Sequence, residues 1–320
     1  MSNTPATLQE AIIHFSDFEN CKAFMVSLRW PDGKVLCPHC GSANVDYLPN
    51  AGLYKCYEKH SRQKFSLKVG TIFEDSPISL EKWLPVMWLV VNSKNGISSW
   101  EIHRAIGVTQ KTAWFILQRA RLAMQDNGGV KLSGEVEVDE SFIGGKARNM
   151  HKAKREQAMA NLNKGKTIAV GIVERGGKVK TTVVERRRKK DLQAHIRDNV
   201  EAGSAIYSDE LLSYDGLSSD YVHAVINHAV EYVHGNVHTN TMENFWALLK
   251  RGIHGTYVNV EPFHLFRYLD EQAFRYNNRL DADGEKLNDS DRFVTVMKQA
   301  VGKRLTYAEL TGKAGETAVN

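Results

Sequence analysis

Cysteine is scarce, four in 320 residues. That is too few to staple a chain of this length with disulfides, so any paired spacing among them points to metal instead. No apolar run approaches the roughly 20 residues that span a bilayer, the longest being WLPVMWLVV at 83–91, so no membrane partner is expected. The opening MSNTPATLQEAIIHF has neither a basic start nor a small-residue cleavage site. A secretory leader is therefore not expected, and the cytoplasm is the default compartment. Net charge is small as well, 42 Lys and Arg against 37 Asp and Glu, and by itself names no partner. What is plentiful is ordinary globular material: 42% hydrophobic, 9% aromatic and 25% charged residues. This composition excludes wholesale disorder, and the length calls for two or three folding units.

The positive charge is unevenly spread. Between Gly144 and Lys190 there are 15 Lys and Arg against 3 Asp and Glu, a local excess larger than that of the whole chain. Its densest run is Arg186, Arg187, Arg188, Lys189 and Lys190. Concentrated charge of this kind suits a polyanion such as DNA, whose phosphates the run would track, and equally suits a solvated face.

The chain reads as three pieces and a tail. Residues 1–75 hold a helical stretch, DFENCKAFMVSLRW, and then Cys37-Pro-His-Cys40 and Cys56-Tyr-Glu-Lys-His60. A CxxC knuckle puts two thiolates on one turn, and a Cys-x3-His pair sixteen residues on can complete a tetrahedron around a structural Zn²⁺. Cys37, Cys40, Cys56 and His60 are the expected ligands, with His39 open as a substitute for His60 and Cys21 assigned to a helix core. Residues 76–130 look all-helical. Ser98 or Ser99 can cap a short helix, Gly107 supplies a turn, and Thr109 caps a longer helix. That outline is a helix-turn-helix whose reading face would be Thr109, Gln110, Lys111 and Thr112, with Arg119 and Arg121 nearer the DNA backbone, or else a plain packing pair. Residues 131–290 have α/β punctuation: GEVEVDESFIGG as a strand, a hairpin turning at Arg175-Gly176-Gly177, KDLQAHIRDNV as a helix, AIYSDE as a short strand, and MENFWALLKRG as a helix. Residues 291–320 are polar and read as a tail.

Three acids carry the chemistry. Asp139 lies on a strand with Glu135 and Glu137 on the same face by period two. Asp209 comes 70 residues later where a strand runs out, and Glu243 starts a helix 34 residues beyond that. Such a trio can hold two Mg²⁺ or Mn²⁺ ions at a phosphodiester, or can be solvated strand and helix ends. Lys250, two helical turns after Glu243, shares its face and can reach a phosphate, and Arg251 beside it is a further DNA-binding candidate. The histidines at 223, 228, 234 and 238 resemble a second metal cluster, but they fall on a strand and in a polar loop and are not read as one.

CPHCGS, YKCYEKHSRQKFSLKVGTIFEDSPISLEKWL, NGISSWEIHRAIGVTQKTAWFILQRAR, VEVDESFIGGK, SDE with YDGL, and HTNTMENFWALLKRGIHGTYVNVEPFHLFRYLDEQAFRYNNR stand in one order over about 18–279. Together they resemble the bacterial insertion-sequence DDE transposases that carry an N-terminal zinc ribbon, the ISXO-like family. The resemblance implies a multidomain α/β chain: zinc ribbon, helix-turn-helix and a ribonuclease H-like catalytic domain. By motif, VEVDES makes Asp139 the first metal ligand, YSDE makes Asp209 the second, and TMENFWALLKR makes Glu243 the third, with Asn240 or a neighbouring His able to share that last role and His238 and Asn240 at the pocket's border. It further implies two catalytic divalent ions, terminal inverted repeats and target DNA as partners, nucleoid association, and a homo-oligomer that brings two ends together. A DNA-binding regulator with an inert third domain, and a nuclease that hydrolyses without joining, remain alternatives.

Overall fold

The computed structural model describes residues 4–126, 128–144, 151–153, 155–156, 166–209, 220–226, 238–281 and 283–312, except for the side chains of 209 and 223–226. The chain divides into two units, Met1–Gln125 together with Leu280–Asn320, and Asp126–Arg279.

The first unit begins with α1 (Leu8–Phe15) and α2 (Phe18–Arg29), capped by Thr7 and Asp17, whose side chains accept the backbone N–H groups of Glu10 and Glu19. A three-stranded antiparallel ribbon follows: β1 (Val45–Leu48), β2 (Leu53–Cys56) and β3 (Lys64–Phe65). Its own core is thin, little more than Tyr54 stacked on Phe65 at 5.6 Å with Cys37 and Cys56 beside them. So small a cluster needs a further cross-link to hold its shape. The bulk of the unit's core comes from α3 (Leu80–Asn92), α4 (Ser99–Ile106) and α5 (Gln110–Met124). Helix α3 buries eight residues, Trp83 and Trp88 among them, as a helix apolar on most of its circumference must. Helix α4 opens on a capping box of Ser98 and Glu101 and closes at Gly107, whose φ of 67° is open to glycine without strain.

The segment read as a polar tail folds back instead. Helix α9 (Asp289–Gln299; α6 to α8 lie in the second unit) has an Asn288/Asp291 capping box and buries Phe293, Val296 and Met297. Phe293 sits 5.1 Å from the Trp88 ring and 5.7 Å from Phe15. A last short helix, α10 (Tyr307–Leu310), follows. Three apolar residues spaced i, i+3, i+4 make a stripe wide enough to dock on an existing core, yet too sparse to lift the segment out of its polar composition. Ribbon, helices and this segment thus cluster as one unit, while residues 313–320 lie outside the described residues.

The second unit is built on a five-stranded sheet of β4 (Glu135–Ile143), β5 (Thr167–Glu174), β6 (Val179–Val184), β7 (Ala205–Asp209) and β8 (Val222–Ile226), in the order β6-β5-β4-β7-β8. Strands β4, β5 and β6 run antiparallel to their neighbours among themselves, whereas β7 and β8 are parallel to β4. The two faces of β4 part by period two. Val136 and Val138 join Val170, Ile172 and Ile206 under Leu192 and Ile196 of α6 (Lys189–Asn199). The opposite face lies under α7 (Asn240–Gly252) and α8 (Leu265–Asn277), where Ile143, Ala169 and Val173 meet Met242, Phe245, Trp246, Leu249, Leu265 and Leu269. Among the described residues no helix is long and apolar enough to cross a membrane.

Candidate functional site

The ribbon gathers one donor set. At the knuckle, Gly41 donates its N–H to the Cys37 carbonyl at 2.8 Å, and Gly41 takes a φ of 75° to close the turn. Strand β2 delivers Cys56, and the turn beyond it delivers His60. One ligand atom from each of Cys37, Cys40, Cys56 and His60 lies within 4.8 Å of all the others. Cys37 Sγ stands 3.5 Å from His60 Nε2, and Cys40 Sγ 3.7 Å from Cys56 Sγ. A tetrahedron with a Zn–S distance of about 2.3 Å has edges of about 3.8 Å, so the set fits a structural zinc ion. His39 is exposed and outside the quartet, which settles the choice of fourth ligand on His60. Cys21 is fully buried on α2, its thiol donating to the Phe15 carbonyl and pushed up to about 12 by burial, as a core residue's would be.

The acids are placed by the sheet. Strands β4 and β7 pair in parallel as Glu135 with Ala205, Val136 with Ile206 and Glu137 with Tyr207. Asp139 lies two residues beyond the last of these pairs on β4, and Asp209, the last residue of β7, two residues beyond it on the neighbouring strand. Asp139 is half-buried, and its Oδ1 accepts the Glu140 N–H at 2.8 Å. Asp209 is described by its backbone alone. Glu243 is exposed in the first turn of α7, where Thr239 Oγ1 donates to its Oε1 at 3.5 Å. Lys250 and Arg251 are exposed in the last turn of the same helix. Trp246 lies in the core.

A buried charge cluster that sequence reasoning missed joins these elements. Glu137 is fully buried on β4. Its Oε1 accepts from Arg175 Nε at 2.8 Å and Thr241 Oγ1 at 2.9 Å, and lies 3.2 Å from His238 Nδ1. Its Oε2 accepts the Met242 N–H at 2.9 Å, satisfying one of the free donors at the start of α7. Arg175, from the β5–β6 turn, also donates to the His238 carbonyl at 2.8 Å and lies 4.3 Å over the Tyr207 ring. Tyr207 donates its hydroxyl to Glu135 Oε1 at 2.8 Å, and this bond, followed by the Arg175 charge, holds the Glu135 carboxyl below the usual range. The only sign of this cluster in the sequence is the period-two alignment of Glu135 and Glu137 with Asp139. Nothing local says that a turn arginine folds over them.

The helical candidates are partly engaged within the chain. Thr109 Oγ1 caps α5 through the Thr112 N–H at 3.1 Å, and Gln110 donates to Ser99 Oγ at 2.8 Å. The Lys111 ammonium lies 4.7 Å over the Tyr307 ring of α10. Arg119 and Arg121, expected nearer a DNA backbone, are buried: Arg119 stacks on Phe115 and donates to the Leu305 carbonyl at 3.1 Å. Arg186, Arg187, Arg188, Lys189 and Lys190 are all exposed at the start of α6, with Arg187 5.1 Å from the Phe142 ring. Much of the basic stretch before them, the YDGL motif and the histidines at 228 and 234 lie outside the described residues, as does the side chain of His223.

Residues 131–277 match the model of the ISXO2-like transposase domain, and residues 16–60 that of the transposase zinc-ribbon domain. A Haemophilus influenzae protein described as an uncharacterized transposase-like protein is 33% identical over 32% of this chain and 82% of its own length. A Halobacterium salinarum protein, described as an uncharacterized protein in transposable element ISH50, is 26% identical over 71% of this chain and 80% of its own. A chain from the cryo-electron microscopy structure of the simian T-cell lymphotropic virus intasome with PP2A regulatory subunit B56 gamma aligns over 61% of this chain and 69% of its own, at 14% identity and a TM-score of 0.31, too loose a likeness to carry an argument.

Proposed function

This chain belongs to the ISXO2-like transposase family, and from that premise we propose that it cleaves and rejoins DNA strands at the ends of an insertion sequence, with Asp139, Asp209 and Glu243 holding two divalent ions. The observation that supports the reading is the parallel pairing of β4 with β7, whose last pair, Glu137 with Tyr207, stands two residues before Asp139 on one strand and two before Asp209 on its neighbour. Glu243 comes from the helix whose N-terminus is tied to β4 two residues before Asp139. A sheet of three antiparallel and two parallel strands with helices on both faces supports a ribonuclease H-like catalytic domain.

Carboxylate oxygens from three elements are the donors that Mg²⁺ or Mn²⁺ prefers. Two such ions, when bound, supply an activated water and charge compensation at the attacking and leaving oxygens. The chain's own residues do the rest. Asp139, Asp209 and Glu243 set where the scissile phosphate lies, and Lys250 meets a phosphate oxygen farther along the α7 face. The exposed run Arg186 to Lys190, together with Arg251, tracks the flanking backbone. Hydrolysis at the element's end frees a 3′-hydroxyl, which the same site then directs at a target phosphate. The zinc ribbon and the α4–α5 pair, a helix-turn-helix in this reading, recognise the terminal repeats. Two copies of the chain bring two ends together at the nucleoid.

Purified protein with terminal-repeat DNA and Mn²⁺ tests this. Cleaved ends and joined products are expected, and Asp139→Asn should abolish both while leaving end binding intact. Unchanged cleavage by that variant removes Asp139 from the reaction. Intact strands would indicate a regulator, and nicking without joined products a nuclease.

A further inference from the structure

We infer that Glu137 and Arg175 are positioning residues for the acid trio. The inference rests on the two-ion reading above. Their contacts reach all three acid-bearing elements one or two residues from each acid. Glu137 precedes Asp139 by two on β4 and points to the same face. Its Oε2 accepts the N–H of Met242, the neighbour of Glu243, and its Oε1 accepts from Thr241. Arg175 spans the remaining gap, donating Nε to Glu137 at 2.8 Å while its guanidinium covers the ring of Tyr207, two residues before Asp209.

The cluster is an expensive way to fill a core. A fully buried carboxylate is tolerated only with its lone pairs satisfied, and replacing a buried ion pair by apolar groups of similar volume often leaves stability unchanged or raises it. Stability alone therefore does not account for a charged pair at this junction, whereas geometry does. An apolar contact permits sliding of α7 over the sheet. A carboxylate that must receive a backbone N–H, a threonine hydroxyl and a guanidinium at once permits one placement. Outer contacts of this kind around metal ligands typically affect affinity or activity by 10–100-fold.

Two variants test the inference on the full-length protein: Glu137→Gln with Arg175→Met, which removes both charges and keeps the volume, and Arg175→Lys, which keeps the charge and loses the fork. Thermal melting, Mn²⁺ binding followed by electron paramagnetic resonance, amide hydrogen exchange at Met242 and end cleavage are measured on each. The double variant is expected to melt near wild type, while its Mn²⁺ affinity falls about 10–100-fold, the Met242 amide exchanges faster and cleavage needs correspondingly more Mn²⁺. Arg175→Lys is expected to show a smaller shift in the same direction. If either variant folds and keeps wild-type Mn²⁺ affinity and Met242 protection, the positioning role is overturned. If the double variant does not fold, Arg175→Lys decides by the same criteria. Absence of Mn²⁺ binding in the wild type, or its persistence in Asp139→Asn, would instead remove the two-ion reading on which this rests.

Discussion

Gly171→Ala is a small change with a calculable consequence. Gly171 pairs with Asp139 across β4 and β5, so its missing side chain would point to the face that carries Asp139 and lies under α7. A Cβ there would run into Met242 Cε and stand 2.8 Å from both Met242 Sδ and Trp246 Cζ2. The methionine is flexible and can swing away at small cost. The indole cannot, because it is 3% exposed and packed against Phe245 at 5.2 Å. One surplus methyl in a filled core costs about 1–3 kcal/mol. Against this stands roughly 0.5–1 kcal/mol that alanine returns by restricting the unfolded chain. The net is a loss of up to about 2.5 kcal/mol, a melting point lower by up to roughly 10 °C for a unit of about 150 residues. Calorimetry on the full chain reads this directly. Met242→Ala alone should cost about 2–5 kcal/mol through its cavity, and less in the Gly171→Ala background, so the double-mutant cycle should show a favourable coupling. A Gly171→Ala protein that melts above wild type, or a cycle without coupling, would refute the close approach of α7 to the sheet.

Two further outcomes follow from other parts of the chain. Zinc analysis should find one ion per chain, and Cys56→Ser or chelation should remove it and abolish amide protection across β1 and β2. Structural zinc contributes apparent binding of about 10–16 kcal/mol in small fingers, more than so thin a ribbon core can replace, and protected ribbon amides in zinc-free protein would contradict this. In α6, burial pulls the His195 pKa down from 6.5 to about 4, and its Nδ1 accepts from Asn199 at 3.1 Å. The unfolded chain then binds a proton that the folded one refuses, so stability falls as pH drops from about 6.5 to about 4, by at most roughly 3 kcal/mol. Urea titrations across that range should lose this slope in His195→Gln, and an identical slope in both proteins would exclude His195 as its source.

Local spacing carried the zinc quartet, because a CxxC knuckle and a Cys-x3-His pair are short-range geometry that a ribbon only has to bring together. The strands, the hairpin at Arg175 and the helices of the second unit were legible for the same reason, in their two- and three-to-four-residue periods. Pairing between distant strands is not local. That Asp139 and Asp209 fall on neighbouring strands depends on β4 lying beside β7, which a 70-residue interval does not reveal. Glu137 looked like one more acid on a strand, since the guanidinium and helix N-terminus that make its burial tolerable come from 38 and 105 residues away. The C-terminal segment was misjudged because Phe293, Val296 and Met297 are few, and their partners, Phe15 and Trp88 among them, lie near the other end of the chain. Arg119 looked free to meet DNA for a similar reason, as Leu305 reaches it from almost 200 residues on.

The most direct test of the central claim is anomalous diffraction from crystals of the protein with terminal-repeat DNA and Mn²⁺. Two manganese peaks about 4 Å apart, ligated by Asp139, Asp209 and Glu243 beside the scissile phosphate, are the predicted result. Manganese bound elsewhere, or these three carboxylates too far apart to share a pair of ions, would contradict it.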